Sequence, residues 1–314
     1  MDTSHLKVIR STSARCFRSC PRLYRYQFVD GYRPAQTPDA LSFGLFWHEL
    51  LEQYRSVAVV KPDSPRPPAD EHMVAKAMAM FAGYKVRWER DSLTMLATEV
   101  PYTVPLVNPA TGRQSQIWQH QGRIDAIARD CDGKLCVVEY KTTSEDIGAG
   151  APYWAKLRLD QQVSNYFNGA RALGYEVERC LYDVARKPAI RPYVATPEDK
   201  RKYTKDGKLY AAQHEYDESP DAFFDRCVVE IADNPDRYYA RAEVVRLEGE
   251  SEEAAFDLWQ TAKMIRESER AGRWPRNPEA CNHWGRECSF FGVCTGEASL
   301  EDSMMFTKEK ENSQ

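Results

Sequence analysis

The chain holds 314 residues with 43 basic and 47 acidic side chains, a formal net charge of −4, and length enough for one large or two ordinary domains. Hydrophobic residues make up 42% and charged residues 29%, which excludes wholesale disorder, and no apolar run approaches the roughly 20 residues of a membrane span. The slightly acidic sum speaks, by itself, against a nucleic-acid partner.

The start, Met1 to Lys7, lacks the apolar core of a signal peptide, so a cytosolic protein with no membrane association is expected. In a reducing compartment the nine cysteines point to metal or catalysis rather than to disulfides.

Arg10 to Tyr26 opens on a Ser-Thr-Ser cluster suited to helix capping and continues with basic and aromatic residues. Gly44 to Val57 reads as a helix, with Leu45, Trp47, Leu50, Leu51 and Tyr54 at helical intervals. Pro62, Pro65, Pro67 and Pro68 mark a loop before a second helix over Glu71 to Arg90. Strands are expected over Ala97–Val107, Gln119–Ala128 and Leu135–Lys141, then a helix over Leu159–Leu173 and a strand over Arg179–Ala185. An acid-rich helical stretch covers Glu248 to Glu269. This order implies an α/β fold with helices on both sides of a mixed sheet. Residues 1–295 are read as one domain and the polar residues 296–314 as a frayed tail.

Charge is unevenly spread. Residues 1–33 carry seven basic and two acidic side chains, and residues 179–208 nine basic and four acidic. A solvated face explains such runs as readily as a binding surface does, yet they leave room for a polyanion.

The most informative segment runs Gly122-Arg-Ile-Asp-Ala-Ile, turns at Cys131-Asp-Gly and returns as Val137-Val-Glu-Tyr-Lys-Thr-Thr. Glu139 and Lys141 stand two apart on a strand and so share a face, opposite Val138 and Tyr140. A two-residue turn would set Asp125 opposite Tyr140, on the wrong face. A three-residue loop, with Gly133 left-handed at its end, sets Asp125 opposite Glu139, and this odd-length loop is the expectation. Two carboxylates and a backbone carbonyl can then hold a hard divalent cation, while Lys141 orients water and meets developing charge. That chemistry suits phosphodiester hydrolysis. A salt-bridged hairpin at a sheet edge accounts for the same spacing.

The Asp, hairpin, Glu-x-Lys arrangement resembles the PD-(D/E)XK nuclease superfamily, and its surroundings resemble the RecB-like exonuclease branch. Gly44-Leu-Phe-Trp-His48-Glu-Leu-Leu-Glu52 looks like the helix that supplies a histidine before the core sheet. Gln162-Val-Ser-Asn-Tyr166 looks like the Gln-x-x-x-Tyr helix after the lysine strand, and Tyr182-Asp-Val-Ala-Arg-Lys-Pro like a later strand. The resemblance spans roughly residues 10 to 295. It implies a restriction-endonuclease-like mixed sheet. It also implies Asp125 and Glu139 as Mg2+ or Mn2+ ligands with Lys141 as the catalytic lysine. His48 and the Tyr140 carbonyl become further ligands, Glu99 an additional acidic one, and Gln162 and Tyr166 residues that border the site and contact DNA. His48-Glu-Leu-Leu-Glu52 also brushes a zinc-protease pattern, but Glu52 stands where the second histidine belongs.

Cys281, Cys288 and Cys294 fall within fourteen positions and read as metal ligands. The resemblance supplies a fourth from Cys20-Pro-Arg and implies a 4Fe–4S cluster that ties the two chain ends together. The gap of six between Cys281 and Cys288 departs from that family's usual two. Cys16 could replace Cys20, His283 could replace a thiolate, and structural zinc would suit four cysteines equally. Cys131, Cys136, Cys180 and Cys227 are singles, the first in a turn and the others expected to pack as small hydrophobes.

No phosphate loop of the Gly-x4-Gly-Lys-Ser/Thr kind occurs, so any translocation must come from another protein. The expected function is a metal-dependent DNA nuclease of exonuclease type in a bacterial or phage-infected cell. The expected partners are DNA and a recombinase, a single-strand annealing protein or a helicase. The alternatives are a non-catalytic DNA-binding or assembly subunit that keeps the fold, and a zinc-stabilised interaction module.

Overall fold

A computed structural model describes residues 5–57, 65–245, 248–283 and 286–308, though not the side chains of Glu248 and His283. Pro62 and the last six residues of the expected tail lie outside these ranges. In chain order the elements are β1 (Lys7–Ile9), α1 (Ser11–Ser19), α2 (Pro21–Tyr24) with a π-helical turn (Arg25–Val29), β2 (Tyr32–Pro34), α3 (Asp39–Arg55) and α4 (Glu71–Arg87). Then come β3 (Thr94–Val107), β4 (Gln114–Arg129), β5 (Leu135–Thr143), α5 (Pro152–Arg158), α6 (Gln161–Ala172) and β6 (Arg179–Arg186). The chain continues with α7 (Pro220–Asp233), β7 (Tyr239–Val244), α8 (Glu248–Ala271), β8 (Asn282–His283), β9 (Arg286–Glu287), α9 (Phe291–Thr295) and β10 (Phe306–Lys308).

Six strands form one mixed sheet in the order β1-β4-β5-β6-β7, with β3 also on β4. The expected α/β architecture is observed. On one face α3, α4 and α7 cover Ala126, Ala128, Val138 and Tyr140 with Trp47, Leu51, Met80 and Phe223. On the other, α5 and α6 cover Ile127, Val137, Tyr182 and Val184 with Leu157, Val163 and Phe167. A strand buried on both faces reads as a near-continuous apolar run, which is why Leu135-Cys-Val-Val stands out. Tyr102 of β3 fills space where a side chain at Gly122 or Gly169 would collide with its ring, so both positions need glycine. Among the described residues no helix is long and apolar enough to cross a membrane.

Three differences from the expectations have physical causes. The Ser-Thr-Ser cluster lies inside the first turn of α1 rather than before it, and the helical stretch breaks at Cys20, which is extended with φ −156° and ψ 109° because Pro21 opens α2. Helix α3 starts at Asp39 rather than Gly44, directly after Pro38, with Asp39 at the positive end of the dipole. The tail does not fray at residue 296. Phe306 is buried against Phe290, ring centroids 4.8 Å apart, and β10 pairs antiparallel with β2 from Phe306↔Pro34 to Lys308↔Tyr32. Phe306, with Leu300 beside it, docks the tail because Phe290, Tyr26 and Tyr32 leave a matching apolar surface.

Candidate active site and thiol cavity

Strand β4 changes partners along its length. Its early part pairs with β1, from Lys7↔Trp118 to Ile9↔His120, and its end pairs with β5, from Ala126↔Val138 to Arg129↔Leu135. Between these two ladders the sheet forks. The hairpin that sets the β5 register has the odd-length loop: Asp130 N–H donates to the Lys134 carbonyl at 3.0 Å, and Gly133 is left-handed at φ 82°. The Asp130 carboxylate accepts the N–H groups of Asp132 and Lys134, both at 2.9 Å, which holds the loop shut.

In this register Asp125 comes opposite Glu139, at the mouth of the fork. The ladder stops one pair earlier, and the Asp125 carboxylate instead accepts the Tyr140 N–H at 2.9 Å. From α3, His48 brings Nδ1 to 3.6 Å from the Asp125 carboxylate. Glu99 of β3 adds a third carboxylate from a left-handed backbone, φ 49°, which interrupts the β3–β4 ladder between Thr98↔Ala126 and Val100↔Ile124. That conformation costs a side-chain-bearing residue about 1–3 kcal/mol and concentrates at functional sites. Ligand atoms of His48, Glu99 and Asp125 all lie within 4.8 Å of one another.

Glu139 is 2% exposed. One of its oxygens accepts from Lys141 Nζ, and the other is buried with no hydrogen-bond partner. From α6, Gln162 Oε1 lies 3.5 Å from Lys141 Nζ, and Gln162 Nε2 donates to the Tyr166 hydroxyl. Asp160 caps α6 by accepting the Gln162 N–H at 3.0 Å, which aims this turn of helix at Lys141. Asp160 was not singled out in the sequence, although an Asp just before a helix start is a legible signal.

Burial pushes the Asp125 carboxyl well above the usual carboxylate range, the Glu139 charge adds to this, and the Tyr140 N–H opposes it. Burial also raises Glu99, against the pull of Arg123, whose guanidinium lies 3.3 Å away. His48 is lowered by burial, so its ring is neutral and able to ligate. Lys141 is also desolvated, but Glu139 more than offsets this and raises it, so the ammonium persists.

The structure thus brings together His48, Glu99, Asp125, Glu139, Lys141, Gln162, Tyr166 and the backbone of Tyr140. One expectation is corrected: Tyr166, expected to contact DNA, is 3% exposed and packs its ring in the core beneath α6, with no surface to offer a strand. A buried orphan oxygen, a strained acidic residue, a neutral histidine and raised carboxyl groups all suit a hard divalent cation.

Cys20, Cys281, Cys288 and Cys294 line a second site, a cavity of about 420 Å³ walled by Leu23, Tyr26 and Phe290. All are free thiols. Cys16 packs instead beside the Phe17 and Trp274 cluster one helical turn away, so Cys20 is the N-terminal thiol at this cavity. Three bonds fasten the N-terminal helices to the C-terminal segment: Arg22 N–H to the Pro275 carbonyl at 3.1 Å, Arg22 Nε to the Trp274 carbonyl at 2.9 Å, and Asn277 Nδ2 to the Ser19 carbonyl at 2.8 Å. The Cys288 thiol is raised by burial and by the neighbouring thiols of Cys281, Cys20 and Cys294. Among the described residues, no three thiol sulphurs lie within 4.8 Å of one another. Cys136, Cys180 and Cys227 are buried in the core and Cys131 is exposed in its turn.

No curated protein matches the chain. Solved structures similar to it include that of a proposed exonuclease from Eubacterium rectale, 10% identical, covering 94% of this chain and 89% of that one with a TM-score of 0.47. Another is a phage-related exonuclease from Haemophilus somnus 129PT, 10% identical, covering 85% of this chain and 96% of that one with a TM-score of 0.35. The sequence profile of the PD-(D/E)XK nuclease superfamily matches residues 11–295. With nine-tenths of its length matched, and with the mixed sheet forking where the paired carboxylates and the lysine meet, the chain belongs to the PD-(D/E)XK nuclease superfamily.

Proposed function

We propose that the chain is a divalent-cation-dependent DNA exonuclease whose active site is the fork between β4 and β5. The observation that carries this reading is the excess of acid there: Glu99 and Asp125 gather with His48, Glu139 adjoins them, and half-buried Lys141 is the cation paired with Glu139. Asp125, Glu139, Glu99, His48 and the Tyr140 carbonyl would hold Mg2+ or Mn2+, which when bound neutralises the scissile phosphate and acidifies the attacking water. The chain's own groups do the positioning. Lys141, held by Glu139 and facing Gln162, orients water by hydrogen bonding and meets negative charge as it develops on the phosphate oxygens. Gln162 is held by Tyr166 from below, so the lysine is presented in one orientation.

For the thiol cavity we propose a 4Fe–4S cluster held by Cys20, Cys281, Cys288 and Cys294. Tetrahedral zinc with Zn–S bonds of about 2.3 Å would draw the sulphurs to about 3.8 Å apart. The cavity of about 420 Å³ and its apolar walls suit the larger group.

Purified protein with Mn2+ should digest end-labelled linear DNA and spare a covalently closed circle. Lys141→Ala should lower the rate at least 100-fold with the fold retained by circular dichroism. Equal rates in both proteins would refute the assignment of Lys141, and cutting of the circle would refute the exonuclease mode. Anaerobically purified protein should be brown, and Cys288→Ser should bleach it. A colourless protein with stoichiometric zinc would overturn the cluster.

A further inference from the structure

Between β6 and α7 the chain runs through residues 187–219 with only a 3-10 turn at Glu198–Lys200 and one isolated bridge. This segment departs from the active-site edge of the sheet. Lys187 N–H donates to the Thr143 carbonyl at 2.7 Å, two residues beyond Lys141, and Lys187 Nζ lies 4.3 Å from the ring centre of Phe43 on the helix that carries His48. The base is rigid: Arg226 of α7 donates to Glu218 at 2.8 and 2.7 Å and to the Arg191 carbonyl at 2.7 Å, and Tyr193 stacks on His214 at 3.9 Å.

The outer part is a built β-hairpin. Tyr203 bridges Leu209, Thr204 N–H donates to the Lys208 carbonyl at 2.7 Å, Tyr210 N–H to the Lys202 carbonyl at 3.1 Å, and Gly207 closes the turn at φ 74°. Gln213 braces it, accepting the Lys202 N–H at 2.6 Å and donating to the Lys200 carbonyl at 3.0 Å.

Residues 200–210, Lys-Arg-Lys-Tyr-Thr-Lys-Asp-Gly-Lys-Leu-Tyr, hold five cations against one acid. Arg201 is occupied with the carbonyls of Thr196 and Glu215, both at 2.9 Å. Lys200, Lys202, Lys205 and Lys208 are exposed, and among the described residues none of their ammonium groups has a hydrogen-bond or ion-pair partner. Tyr203 and Tyr210, in the same hairpin, are 55% and 50% exposed. An ordinary solvated turn explains neither two half-exposed rings nor four lysines so little balanced by acid on a chain of net charge −4. Aromatic faces that accept any base, interleaved with cations that follow a phosphate backbone, are the chemistry of single-stranded nucleic-acid binding.

We infer that the hairpin of residues 200–210 grips single-stranded DNA passing to or from the fork, with Tyr203 and Tyr210 stacking on bases and the four lysines on phosphates. This rests on the nuclease reading and adds the strandedness of the substrate. Paired bases are closed to stacking, so duplex DNA would engage the lysines alone.

The test is fluorescence anisotropy on the full chain carrying Lys141→Ala, with labelled single-stranded and blunt duplex oligonucleotides of equal length over a range of salt. Tyr203→Ala with Tyr210→Ala should weaken single-strand binding about tenfold or more per ring. The same pair should leave duplex binding unchanged, and Tyr203→Phe with Tyr210→Phe should retain affinity. Replacing the four lysines by glutamine should lower the slope of log Kd against log salt by about 3 for single strands. Unchanged affinity and slope, or equal losses on single strand and duplex in the tyrosine variant, would overturn the inference. Digestion assays with Lys141 restored keep the two readings apart. Wild type that digests no DNA refutes the nuclease, whereas normal digestion with unaltered KM in both hairpin variants refutes the hairpin's role alone.

Discussion

Two acidic clusters lie back to back across the β5–β6 pair. Behind the sheet, Asp183 sits beside Tyr140 and accepts from Tyr84 at 2.7 Å and from Arg241 Nε at 2.9 Å, while Asp91 takes two bonds of 2.8 Å from Arg241 and another from Arg55 at 2.8 Å. Two carboxylates meet two guanidinium groups: although burial opposes it, Arg241 holds Asp91 below its ordinary range, while burial keeps Asp183 raised against the pull of Arg241. In front, one residue along β5, Asp125, Glu139 and Glu99 have Lys141 within and Arg123 only at the exposed edge of Glu99. Both clusters set carboxylates against basic side chains. The difference is how many cations the chain itself supplies, and the deficit marks the side where one is to be bound.

The contrast can be broken most severely from behind. Arg241→Met leaves two buried carboxylates short of a partner and should cost about 3–5 kcal/mol in urea unfolding. Asp125→Asn, in cation-free protein, removes a like charge from an overcrowded patch and should leave stability unchanged or raise it by about 1 kcal/mol, while abolishing digestion. A loss from Asp125→Asn as large as that from Arg241→Met would show that the fork is balanced without a cation.

A buried imidazole with one unpaired nitrogen gives the next effect. His120 of β4 is 3% exposed, its Nε2 is unpaired, and burial lowers its pKa to about 4. Between pH 6.5 and pH 4 the unfolded chain binds a proton that the folded chain refuses. Stability therefore falls with falling pH through that window, by roughly 3 kcal/mol in all, and is unaffected by His120 above it. His120→Phe should flatten this part of the profile, and an unchanged slope in the variant would place the dependence elsewhere.

The smallest effect sharpens the contrast from the front. Glu99→Gly relieves the left-handed strain and should stabilise the cation-free protein by up to about 1 kcal/mol while weakening Mn2+ binding in calorimetric titration. If stability drops and Mn2+ affinity holds, the strain at Glu99 serves the fold rather than the site.

Much of the fork was legible in the chain. Gly133 at the end of an odd-length loop sets which residues of β4 face β5, and a period of two places Glu139 and Lys141 on one side. Helical spacing put His48 on an amphipathic helix and Gln162 four residues before Tyr166. Glu99 stood within an expected strand, but nothing in Thr98-Glu-Val announces a left-handed residue, because that conformation is imposed by the strands around it. Tyr166 looked available to DNA, and the tail looked frayed, because burial depends on what packs from elsewhere.

By itself the amino-acid order determined what short-range geometry controls: strand period, loop parity, helix face, and the break at Cys20 that Pro21 enforces. Tertiary structure alone decided the rest. It parted β4 from β5, chose Cys20 over Cys16 for the cavity, gave arginines to Asp91 and Asp183 but not to Asp125, and docked Phe306 on Phe290. These outcomes join residues tens to hundreds of positions apart, and such contacts form only when the loss of chain freedom is met by apolar burial and charge pairing in the assembled fold.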